Sequence, residues 1–137
     1  MELQLIALPS AHALEALRQK GLSDEDIFTH ITTNNINIWE EEGLYFDELL
    51  GVASKDKNVL NGILSNGYKV KFMTIRGLQT LLKTKWDLEP ARDFEVTEKG
   101  ISGLHLDSQK LETLKQMLAK NCTLHEEATN VIGITLA

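Results

Sequence analysis

Apolar positions along the chain follow two periods, and the switch between them organises it. Residues 2–8, ELQLIAL, read as a short strand. Pro9 and Ser10 then open a helix over 11–20, with Ser10 as its N-cap and Gly21 as its terminator. Ser23 caps a second helix over 24–32, where Asp24, Glu25 and Asp26 suit the positive end of the dipole and Ile27, Phe28 and Ile31 form the apolar face. TTNN at 32–35 is turn material, and INIW at 36–39 predicts a short extended segment. Two further helices are expected over 44–53 and 58–65, with Ser54, Lys55, Asp56 and Lys57 as a polar corner and Asn66-Gly67 as the stop.

From Gly67 the period shortens to two. Tyr68, Val70 and Phe72 alternate with Lys69, Lys71 and Met73, as in a half-buried strand. Ile75, Leu78, Leu82 and Trp86 share one face of a helix over 75–86. Phe94 and Val96, a turn at 98–100, and Leu104 and Leu106 predict a hairpin. Asp107 caps a helix over 108–120, and Ile132, Ile134 and Leu136 alternate in a last strand. The order over about 67–137 is therefore β-α-β-β-α-β. It predicts an α+β fold, a ferredoxin-like antiparallel sheet with two helices on one face, joined in a single domain to a mainly helical extension over 1–66. On that sheet Tyr68 and Phe72 point to the helices. Lys69, Lys71, Met73, Ile101, Gly103, His105 and Val131 lie on the open face.

Composition narrows the setting. The chain has 137 residues, enough to bury a core without staples, and it carries one cysteine, Cys122, which excludes a disulfide framework and fits a reducing compartment. No apolar run reaches the length of a membrane span, and the first residues lack the basic and apolar regions of a signal peptide, so a cytoplasmic location is expected. The formal net charge of −6 is unevenly spread. Residues 22–50 hold eight acids and no Lys or Arg, whereas 51–86 hold seven bases and one acid. Such segregation can steer a charged partner or a second copy, and it is also common on solvated faces.

Sequence chemistry is sparse. Neither glycine-rich phosphate loop is present. Asp26 and His30 share a helical face at the i,i+4 spacing of two metal ligands, but no third ligand is specified. Cys122 and His125 form C-x-x-H, and a thiolate nucleophile there would need positive charge that the end of a helix does not supply. No cofactor and no catalytic residue are assigned. Nucleic-acid binding would draw on Lys55, Lys57, Lys69 and Lys71. It is opposed by the net acidity and by an open face without the aromatics that stack RNA bases. The leading expectation is a non-enzymatic protein acting through protein contacts or self-association. Met73, Ile101 and Val131 are its contact residues, nucleic-acid regulation is the alternative, and an enzyme built from scattered acids and histidines stands third.

Overall fold

Parallel strands require a long crossover, and here nearly half the chain supplies one. A computed structural model describes residues 3–137. The expected start of the first strand at Glu2 lies outside the described residues. Strand β1 (Gln4–Ile6) lies parallel to β2 (Tyr68–Val70), with Ile6 opposite Val70. Between them run α1 (Leu8–Gln19), α2 (Asp24–Thr32), α3 (Asn37–Glu41), α4 (Asp47–Lys55) and α5 (Lys57–Asn66).

Local chemistry explains most of these boundaries. Proline fits a first helical turn, having a fixed φ and no amide to satisfy, so α1 starts before Pro9 and Ser10 is interior rather than the cap. Its hydroxyl donates to Glu48 Oε1 at 2.6 Å, and the same oxygen accepts the Ala7 N–H at 2.9 Å. A carboxylate from α4 thus pins the entry to α1, which has no side-chain cap of its own. Ser23 and Asp26 form the reciprocal capping box of α2. INIW turns out to belong to a helix: Ile36 is fully buried and α3 follows it, because four alternating residues fit one helical turn as well as a strand. Asp56 alone makes the corner between α4 and α5, accepting the Asn58 N–H. Gly67, at φ 92°, stops α5 in a conformation few side chains adopt.

After β2, α6 (Ile75–Trp86) packs on α1 so closely that a Cβ on Gly77 would lie 2.1 Å from the Leu8 side chain. The remainder is β3 (Glu95–Val96), β4 (Gly100–His105), α7 (Ser108–Met117), β5 (Cys122–Ala128) and β6 (Val131–Leu136). These strands form one antiparallel sheet in the order β3-β4-β6-β5. The α+β class holds, but the single βαββαβ sheet does not. Strand β2 leaves to pair with β1, and β5 is a strand where no strand was expected. One part of the expected arrangement survives in another place: β4 and β5 run parallel with β6 between them, so β4-α7-β5 is a split crossover.

A bulge decides which side chains face the core. Between Ile101 and Leu104 the register of β4 against β6 shifts, with Gly103 at φ 70°. Ile101 therefore falls on the same face as Leu104, opposite Ile134 and Ile132, and all four are buried in the cluster that also holds Tyr68, Met73 and the α7 residues Leu111, Leu114 and Met117. Strict alternation had set Ile101 on the open face. One inserted residue reverses that assignment.

Candidate functional site

Three polar assemblies stand out, as does Phe72, the more exposed of the two exposed aromatics, Tyr45 and Phe72. The first assembly is buried: Glu15 of α1, 2% exposed, accepts the Tyr68 hydroxyl at 2.5 Å and Arg18 at 3.2 Å on Oε2, and Lys85 at 2.9 Å on Oε1. Arg18 continues to Asp24 and to the Leu64 carbonyl. Burial, reinforced by the Glu15 charge, pushes the Tyr68 phenol far up, so it stays a neutral donor. Every charge in the set is paired, and the result ties α1, α2, α5, β2 and α6 together.

The second assembly is Glu48, held by Ala7, Ser10 and the Lys71 ammonium at 2.8 Å. Burial alone would raise its carboxyl. The hydrogen bonds from Lys71, Ser10 and Ala7 together outweigh burial and hold it below the ordinary carboxylate range. The third crosses the open face of the sheet: Glu127 reaches over Gly133 to accept the Ser102 hydroxyl and the Gly103 N–H, both at 2.8 Å. Those bonds hold its carboxyl low. His125 Nε2 stands 3.8 Å from the same carboxylate. A serine nucleophile needs the histidine between hydroxyl and acid. Here the acid takes the hydroxyl directly, so the set braces the β4 bulge.

The metal and thiol candidates separate. Asp26 accepts the Ser23 N–H, while the His30 ring bonds to the Asn35 carbonyl and stands edge-on to Trp39 at 4.8 Å. Among the described residues no three His, Cys, Asp or Glu side chains cluster to hold a metal. Cys122 and His125 are three residues apart on one strand and so face opposite sides of the sheet. Burial pushes the Cys122 thiol up.

The contact candidates need correction. Met73 and Ile101 are 1% and 2% exposed, and Val131 is half-buried opposite His105, so the three do not form an open apolar face. Met73 lies beyond the end of β2, past a bend at Lys71, and the bulge turns Ile101 inward. The four lysines also divide. Lys55 and Lys57 flank the α4–α5 corner, Lys69 lies half-buried in β2, and Lys71 is already paired with Glu48.

Sequence reasoning missed Phe72, which alternation directed inward and which is 59% exposed. Its neighbours on both sides are fixed. The Lys71 N–H donates to the Ile6 carbonyl at 2.9 Å, extending the ladder, while its ammonium bonds to Glu48. Met73 is gripped by the Asn121 side chain, which accepts its N–H at 3.0 Å and donates to its carbonyl at 2.7 Å. Thr74 then caps α6. That cap does not reveal the break, since Thr74 is itself extended and follows the alternating run. Leu5, 46% exposed and opposite Lys69, adds apolar surface on the outer side of the β1–β2 ladder. No helix among the described residues is long and apolar enough to cross a membrane. Comparisons with protein-family models, curated proteins and solved structures return no match.

Proposed function

We propose that this is a non-enzymatic cytoplasmic binding and regulatory protein that acts through protein contacts, with Phe72 as the anchor of its partner surface. The observation supporting this is the bracing of Phe72. Single exposed apolar side chains are ordinary on soluble proteins. An aromatic held between two residues with pinned backbones is different, because docking it costs little further ordering entropy and desolvates about 2–3 kcal/mol of apolar surface. Aromatic anchors of this kind dominate protein interfaces.

A second reading, nucleic-acid binding, is favoured by Lys55, Lys57 and Lys69, which have no ion-pair partner among the described residues. It is opposed by the net charge of −6. Affinity purification from the native host at physiological salt, with protein and nucleic acid both identified, separates the two. Wild type should retain a protein that Phe72→Asp loses while its circular dichroism spectrum is unchanged. Recovery of nucleic acid that survives Phe72→Asp and is lost in Lys69→Glu would overturn the protein reading.

A further inference from the structure

The two edges of the four-stranded sheet are unequal. Strand β3 has two residues, whereas β5 has seven, and among the described strands β5 pairs with β6 alone. Which backbone groups of β5 are used follows from its neighbours. The Leu136 N–H goes to the Lys99 carbonyl on the β4 side and the Ala137 N–H to the Asn121 carbonyl on the β5 side. Alternation therefore directs Thr123 and His125 towards β6. The N–H and C=O of Leu124 and Glu126 point outward, with no bond to any described residue.

We infer that β5 pairs antiparallel with β5 of a second copy, about a two-fold axis at Leu124. The register of β5 on β6 is regular from Cys122 to Glu126 and shifts beyond it, so Leu124 is the midpoint of the regular stretch and its one large apolar side chain. Each Leu124 N–H then meets the other copy's Leu124 carbonyl, and each Glu126 N–H the other copy's Cys122 carbonyl. The Cys122 N–H is already committed to the Ala119 carbonyl, so no donor is stranded there.

Charge selects this orientation. The strand is acidic at one end, at Glu126 and Glu127, and uncharged at the other, which is preceded by Lys120. An antiparallel copy sets each acidic end against the other's uncharged end. Centring on Glu126 would oppose two carboxylates, and centring on His125 would oppose two imidazoles and set Leu124 against Glu126. Charged residues commonly protect edge strands from indiscriminate pairing. Here their asymmetry leaves one self-complementary register, an isologous contact that closes at the dimer.

Sedimentation tests the pairing. Wild type at roughly 100 µM should have twice the 15.4 kDa chain mass, and Glu126→Pro, which deletes an outward donor at an edge position that tolerates proline, should halve it. A wild-type monomer, or a dimer that persists in a folded Glu126→Pro, overturns the inference. Hydrogen exchange does not depend on that variant: the Leu124 and Glu126 amides should be slowed on the order of 100-fold in wild type, and exchange at intrinsic rates would refute the pairing. For the register, Leu124→Cys in a Cys122→Ser chain should oxidise to a covalent dimer, because facing residues fall within disulfide reach. His125→Cys in the same background should not, and the reverse pattern overturns the axis at Leu124.

Discussion

Tyr68→Phe removes a single oxygen from the interior. The ring, 1% exposed, keeps its packing, and the change falls on Glu15 Oε2, which loses its shortest partner and retains Arg18 at 3.2 Å. A hydrogen bond to a charged acceptor contributes about 1.5–3 kcal/mol. No donor is orphaned, so a loss of about 2 kcal/mol is expected, or roughly 8 °C in Tm for a domain of this size. Glu15→Ala should cost more, about 3 kcal/mol, because it strands the buried phenol and removes the carboxylate partner of Lys85, while Arg18 keeps Asp24 and the Leu64 carbonyl. Urea unfolding of both single variants and the double variant gives the coupling between the two groups. The pH dependence carries a sign. The phenol is raised in the folded protein above its unfolded value near 10.0, so its contribution is complete below pH 10.0 and is lost as pH rises beyond it. Wild type should therefore weaken above pH 10.0 more steeply than Tyr68→Phe. A loss under about 0.5 kcal/mol with parallel alkaline limbs, as a solvent-exposed bond would give, would refute the buried bond as a source of stability.

Glu48→Gln should cost about 1 kcal/mol, because it makes the charge-assisted bonds from Ala7, Ser10 and Lys71 neutral. Since the Glu48 carboxyl is lowered in the folded state, its contribution is present above the unfolded value near 4.5 and lost as pH falls through the folded one, so acid titration of unfolding should be flatter in the variant. Gly133→Ala sets a Cβ 2.5 Å from the His125 ring and 2.7 Å from the Glu127 carboxylate, which should displace Glu127 and speed exchange of the Gly103 amide while the fold persists. Cys122, with its thiol raised by burial, should be alkylated more slowly at neutral pH than a free thiol, a rate that urea should restore. Asn121→Ala should expose the Met73 amide to exchange and cost about 2 kcal/mol in unfolding free energy; unchanged protection of that amide would show that the side chain does not hold the segment.

Helices were readable where caps and apolar spacing agreed. Ser23 with Asp26, Asp107 before α7 and Gly67 after α5 each act locally, and each appears where the sequence put it. Pairing was less legible, because it depends on partners remote in sequence. Nothing local in Tyr68–Val70 distinguishes a strand that joins the C-terminal sheet from one that joins Gln4–Ile6, 64 residues away in register. Strand β5 was missed for a related reason. At a sheet edge, with one face open, its residues Thr123, His125, Glu126 and Glu127 need no apolar alternation, and their polarity resembles a loop.

The contact surface was misread through a single assumption, that alternation continues unbroken. It fails at Lys71, where the chain bends out of β2, and again at Ser102 and Gly103, where the bulge adds a residue. The two failures exchange inside for outside: Met73 and Ile101 turn in, and Phe72 turns out. Both are stabilised by side chains of the segment between α7 and β6. Asn121 fixes the bend through the Met73 backbone, and Glu127 fixes the bulge through the Gly103 amide and Ser102. Asn121 also precedes Cys122 and accepts the Ala137 N–H, so the residue that presents Phe72 aligns the start of β5. Asn121 is thus common to the segment that carries Phe72 and to the start of the edge strand, so Asn121→Ala should loosen both the Met73 amide and the first residues of β5 in hydrogen exchange.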